Sequence, residues 1–350
     1  MGPYVAGRLR TEGERVLAWL YRLMGGLRDD RSGLSGGRAV LLAYHRILPR
    51  ERLRSFPFLE DLVSTEEDFA EQMALLAARF RVLPLEEIVH TLRAGGRLAP
   101  GTVGITFDDG YGDNYRFAWP VLRRLRLPAT VFLTTGHVKG ARGLFWWDEM
   151  SRWRSAGVGS IEVEGLGMRS VATLGARDRL LSELKRLPVD ETNRRVREAS
   201  ARAGSAPAPE PAKDFLSWDQ VREMQSAGIS FGSHTVSHCL LPVETAVRRR
   251  AELMDSRAVI AQETGRPCNL FCYPNGAATE ALGREVREAG FVGAVATGAR
   301  EVIQEAGLDL YRLPRKSVNY RAGLAVFRFR LSPHPERIKR LSGRAAGGAS

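Results

Sequence analysis

Cysteine is scarce in this chain: three residues in 350, Cys239, Cys268 and Cys272, with no Cys-x-x-Cys pair among them. Three irregularly spaced thiols cannot form a disulfide framework, so the expected setting is a reducing compartment, the cytoplasm. Lysine is scarce too, with 5 residues against 47 arginines. The formal net charge of +12 therefore reads as a bias of composition rather than a phosphate-binding design, and without a nucleic-acid motif no nucleic-acid partner is expected. No apolar run reaches the roughly 20 residues of a membrane-spanning helix. The short apolar set from Val16 to Tyr21 follows mixed charges and precedes no small-residue cleavage site, which speaks against a secretory leader. Internal repeats are absent. What is present is 44% hydrophobic and 26% charged residues, enough to bury a core in one large domain or two smaller ones.

Within residues 36–320, apolar runs alternate with helical patterns. The runs are Ala39 to Tyr44, Thr102 to Phe107, Thr130 to Leu133, Ile229 to Gly232, Asn269 to Tyr273 and Phe291 to Ala296. Helix starts are marked at Ser64-Thr65-Glu66-Glu67 and at Ser217 with Gln220, and a stop at Gly265. This order predicts an α/β fold, an irregular (β/α) barrel of mostly parallel strands. Residues 138–213 are too long for a strand-to-helix connection and form a helical insertion. Its opening, Leu144 to Glu149, is aromatic; Trp146 and Trp147 read as a subdomain core, with stacking on a sugar ring as the alternative. Residues 1–35 hold an amphipathic helix over 10–28 that packs on the domain. Residues 321–350 form a basic tail, and Arg312 to Ser350 carries ten basic residues against the single acid Glu336. Leu324, Val326, Phe327, Phe329 and Leu331 among those arginines suggest peripheral contact with an anionic membrane, at its inner face, or a solvated last helix.

The chemistry is concentrated at strand ends, where barrels of this kind collect it. Thr106-Phe107-Asp108-Asp109-Gly110 closes one apolar run with adjacent carboxylates, which repel unless a cation or a proton separates their roles. Ser233-His234-Thr235-Val236-Ser237-His238 closes another; two imidazoles four residues apart face the same way on a helical turn, as paired metal ligands do. One carboxylate and two imidazoles make an open site for a divalent ion that acidifies water, and the second carboxylate then serves as base. His90 and His137 have no motif around them and read as structural.

These two motifs resemble those of the polysaccharide deacetylases, the NodB-like family 4 carbohydrate esterases, whose motifs read TFDDG and HxxxH. The resemblance spans roughly Ala39 to Ser317, including Tyr44-His45, Ser217-Trp218-Asp219 and Phe271-Cys272-Tyr273-Pro274-Asn275-Gly276. It implies Asp108 as catalytic base, Asp109, His234 and His238 as ligands of one divalent metal, zinc by default with cobalt or nickel as alternatives, and the Asn275 amide, with Tyr273, at the oxyanion and substrate. Two departures stand out. Cys272 occupies the place of the family's arginine, leaving Arg312 or Arg315 to support the base. No Leu-x-x-His motif supplies the general acid; His334 is flanked by prolines in a basic segment, whereas Tyr44-His45 resembles the poly-N-acetylglucosamine deacetylase branch, whose motif order is permuted and whose early histidine is the acid. The expected function is hydrolysis of N-acetyl groups from an amino sugar of a polysaccharide or its lipid-linked precursor. The alternatives are a hydrolase of another N-acyl or N-formyl compound and a catalytically inactive glycan-binding barrel. Oligomeric state is not specified.

Overall fold

Six apolar runs and one segment outside them, Leu313–Ser317, become parallel strands: β1 (Arg38–Tyr44), β2 (Thr102–Phe107), β3 (Ala129–Leu133), β4 (Ile229–Ser233), β5 (Leu270–Cys272), β6 (Gly293–Thr297) and β7 (Leu313–Ser317). The computed structural model describes residues 37–55, 62–204, 214–297, 302–303, 307–319 and 323–331. The helix expected over 10–28, the exit Ala206 to Pro211 and the tail from residue 332 lie outside the described residues.

The strands pair in chain order around a ring, β1 to β2 through β6 to β7, and β7 returns to β1. The longest register is between β1 and β2, from Ala39 opposite Thr102 to Tyr44 opposite Phe107. Alternation sorts each strand into two layers. In β1, Val40, Leu42 and Tyr44 join the cluster shared with the outer helices, while Ala39 and Leu41 join Phe132, Cys272, Val295 and Leu313 inside the ring. The interior is tight: a Cβ on Gly104 would approach the Leu41 side chain to 2.7 Å. The (β/α) barrel expected from the sequence is therefore the observed fold, closed by seven parallel strands.

The outer layer and insertion comprise α1 (Glu66–Arg79), α2 (Leu85–Arg93), α3 (Trp119–Leu125), α4 (Trp146–Ser155), α5 (Leu174–Leu184), α6 (Val189–Arg202), α7 (Trp218–Ser226), α8 (Ala246–Thr264), α9 (Glu280–Glu288) and α10 (Leu324–Leu331). The boundary signals hold. Thr65 caps α1 by accepting from the Asp68 amide, Ser217 and Gln220 form a reciprocal capping box on α7, and α8 stops at Gly265 with φ 65°.

Two regions differ from expectation. The insertion holds an antiparallel hairpin, Ser160–Val163 with Gly167–Ser170, between its helices, and a separate core around Trp153, Leu180 and Val196. The strands are four residues each, too short for alternation to announce them amid glycines. The second difference is α10: Val326, Phe327, Phe329 and Leu331 are buried in the main core. Core packing thus continues past residue 320: four of the five side chains that suggested a lipid-facing surface are enclosed in protein, and Leu324 is half-buried against them. No helix among the described residues is long and apolar enough to cross a membrane.

Candidate functional site

Asp108 and Asp109 follow β2 directly and point to different tasks. The Asp108 amide donates to the Tyr44 carbonyl, prolonging the β1–β2 ladder, and its carboxylate is gripped at both oxygens by Arg315 of β7, each N···O distance 2.7 Å. Arg315 is fully buried and also donates to the Thr106 hydroxyl at 2.8 Å and to the Cys272 sulfur at 3.0 Å. Burial pushes the Asp108 carboxyl upward; the Arg315 charge and its hydrogen bonds outweigh that and hold it down at about 2. Asp108 is therefore ionised at neutral pH. His45, just past β1, places Nε2 3.7 Å from the free side of Asp108 Oδ2, with its ring partly open to solvent.

Asp109 turns away from this pair through a left-handed backbone, φ 75°, and aims Oδ1 at two imidazoles, 3.4 Å from His234 Nε2 and 3.3 Å from His238 Nε2. Asp109 Oδ1 is buried and has no hydrogen-bond partner, because neither ring nitrogen meets it in donor geometry. The carboxylate oxygen and the imidazole nitrogens lie within 4.8 Å of one another. His234 Nδ1 faces the Cys272 carbonyl at 2.8 Å, which makes Nδ1 the protonated nitrogen and leaves the Nε2 lone pair toward Asp109. Three convergent donor atoms around an orphaned buried oxygen fit a divalent cation with a coordination position to spare.

The two histidines do not share a helical turn. Residues 234–238 form an irregular loop with Thr235 at φ 68° and His238 at φ 58°, and two reversals, rather than helical periodicity, bring the rings together at 4.8 Å. Neighbouring backbone pins the loop: His234 N–H donates to Leu133, Thr135 to Thr235, and Gly136 to Val236.

Trp147 supplies a wall. Its ring lies 4.5 Å from that of His238 and stacks on Phe145 at 4.3 Å, while its indole N–H donates to the Tyr111 hydroxyl, which donates to Asp148. Trp146, by contrast, belongs to the insertion core. Trp147, half-buried, packs against that core as well. His137 is structural as expected: buried, bonded through Nδ1 to the Gly143 carbonyl, and lowered by burial to about 4.

Two of the expected residues are not part of this cluster. Arg312 ion-pairs with Asp309 at 2.5 Å; it lies three positions from Arg315, hence on the opposite face of the strand path, and only Arg315 shares the interior face with Leu313. Tyr273 neighbours the inward Cys272 and so faces outward, its ring edge-on to Phe271 at 5.0 Å and its hydroxyl beside Gly283 of α9. Asn275 sits in the turn after β5 at φ 57°, and its side-chain oxygen accepts from Lys185 at 2.8 Å. Glu252 of α8 was not singled out from sequence, yet its carboxylate accepts from the amides of Val236 and Ser237.

A family profile described as Polysaccharide deacetylase matches residues 95–187 and 192–294, more than half of the chain. The poly-β-1,6-N-acetyl-D-glucosamine N-deacetylase of Staphylococcus epidermidis is 32% identical over 108 residues, covering 29% of this chain and 37% of that protein, so the match spans little more than a third of its length. The Bacillus subtilis protein YxkH is 22% identical over 282 residues, covering 80% of this chain and 71% of that protein. Among solved structures, the Streptococcus pyogenes deacetylase PplD aligns with a TM-score of 0.57 at 18% identity, covering 85% of this chain and 99% of that chain. IcaB from Ammonifex degensii aligns at 0.55 and 20% identity, covering 86% and 100%. At these identities the structural likenesses show the shared barrel.

Proposed function

The chain belongs to the polysaccharide deacetylase family, and from that premise we propose that it hydrolyses N-acetyl groups from an amino sugar of a glycan with the help of one divalent metal. The carrying observation is a carboxylate held ionised by Arg315 beside a second whose partnerless oxygen meets two imidazoles. The name of the staphylococcal relative supports an N-acetylglucosamine polymer as the substrate class, and Trp147 beside His238 offers an aromatic face of the kind sugar rings stack on.

In this reading Asp109, His234 and His238 hold the ion, which when bound supplies Lewis acidity at the acetyl carbonyl and acidifies water; the donor set suits zinc, and cobalt or nickel also. Asp108 takes the proton from the attacking water. Arg315 keeps Asp108 anionic and aimed, filling from β7 the role that the missing arginine at Cys272 left open, which removes the main reason to favour an inactive barrel. His45, 3.7 Å from Asp108, protonates the departing amine. The Asn275 amide is the proposed donor to the oxyanion.

The test is acetate release from N-acetylglucosamine oligomers and from a lipid-linked N-acetyl sugar, with metal-loaded and chelated protein. Release that stops on chelation and returns with metal is expected. Metal bound without release from either would move the reading to another N-acyl compound. His45→Gln is expected to lower kcat about 10²-fold at unchanged metal content; unchanged kcat would remove His45 from the acid role.

A further inference from the structure

Glu252 takes no part in the chemistry just described, yet it is the most fully bonded carboxylate near the site. It is 2% exposed. Oε2 accepts from the amides of Val236 at 2.7 Å and Ser237 at 3.0 Å, Oε1 accepts from the Ser237 hydroxyl at 2.7 Å, and Arg248 ion-pairs with Oε1 at 2.9 Å. All three hydrogen-bond donors belong to residues lying between the two histidines. Successive backbone N–H groups converging on one anion form a nest, and here the anion is a side chain of the protein itself.

The loop needs such a clasp. Thr235 and His238 both hold positive φ, a strained conformation for a residue with a Cβ that persists only when its surroundings over-determine it. Charge-assisted bonds to a buried carboxylate are the strong kind. With the backbone bonds to Leu133, Thr135 and Gly136, they support the two reversals that bring the His234 and His238 rings together.

We propose that Glu252 is a positioning residue for the metal site: by gathering the Val236 and Ser237 donors it holds the left-handed loop in the shape that turns both imidazoles toward Asp109. The inference rests on the metal reading of the previous subsection. It also gives the insertion a point of contact, since Arg248 reaches Asp190 of α6 at 3.4 Å, a partly exposed ion pair.

The experiment measures zinc affinity of the full chain by competition with a chromogenic chelator, for wild type, Glu252→Gln and Ser237→Ala, with circular dichroism and melting of the metal-free proteins alongside. Glutamine keeps the volume but presents an amide N–H₂ to donors, so Glu252→Gln is expected to weaken zinc binding about 10- to 100-fold. Ser237→Ala, which removes one of the three hydrogen bonds, should weaken it a few-fold. Acetate release by both variants should return to most of the wild-type rate at saturating zinc. Should Glu252→Gln fail to fold, Ser237→Ala decides. Folded variants binding zinc within twofold of wild type would overturn the proposal, as would lost affinity with no recovery of activity at saturation. If wild type itself binds no divalent ion, the metal reading fails instead, and the two failures are distinguishable.

Discussion

Asp108→Asn is expected to reduce acetate release by about 10²- to 10⁴-fold, the range that a positioned proton acceptor contributes, while zinc affinity stays within a few-fold of wild type. The split follows from geometry: Asp108 is bonded at both oxygens to Arg315 and approached by His45, whereas the trio that includes both imidazoles is built on Asp109, Asp108 grouping only with His234 and the Cys272 thiol. Asparagine keeps the shape and removes the basicity. Parallel measurement of metal content and rate checks it; a variant that loses metal and activity together would place Asp108 among the ligands rather than beside them.

The second large effect belongs to Arg315. Its guanidinium and the Asp108 carboxylate are both buried, and removing one partner of such a pair leaves an uncompensated charge, a loss of about 3–5 kcal/mol. Arg315→Met should lower stability to unfolding by that amount. The pH dependence follows with its sign. In wild type the Asp108 carboxyl sits at about 2, below its unfolded value near 3.9. Its contribution to stability is therefore complete above the unfolded value and lost as pH falls through about 2, an effect of roughly 2–3 kcal/mol. In the variant burial, which raises the folded value, is opposed only by the lesser effects of His234 and His45, so Asp108 takes up a proton at higher pH and the acidic limb of kcat/KM moves upward. Activity lost at pH 6 should recover in part at pH 8. Adding Asp108→Asn to Arg315→Met removes the stranded charge and should restore part of the stability, a coupling that a double-mutant cycle reads directly. A limb that stays where wild type has it, or a stability change below about 1 kcal/mol, would show that Arg315 neither tunes nor anchors the base.

The strands and their active ends were legible because a parallel strand buried on both faces is a continuous apolar run, as in Ala39 to Tyr44, and because carboxylates and imidazoles directly after such runs have few structural uses. Arg315 was legible only as one of two arginines. The parity that excludes Arg312 depends on where β7 begins, and that follows from pairing with β1 and β6 rather than from local sequence. Parity also misplaced Tyr273, which a motif reading joins to Asn275 but which the pleat turns outward. The two histidines do converge with Asp109, but not on a helical turn. HxxxH fits a helix by spacing, whereas the left-handed turns at Thr235 and His238 are imposed by bonds from β3, Gly136 and Glu252 that no local pattern announces. Glu252 itself looks like any helical glutamate until α8 is docked. His45 and Arg315 both lie outside the residues matched by the family profile, so their assignment rests on geometry.

The ring closes where β1 accepts β2 on one side and β7 on the other, and the Asp108–Arg315 contact bridges that seam across 207 residues of sequence. A chain still being synthesised therefore owns its whole donor trio by His238 but has no counter-charge for its base until the last strand is in place. Ring closure and the counter-charge of Asp108 thus depend on one and the same strand, β7.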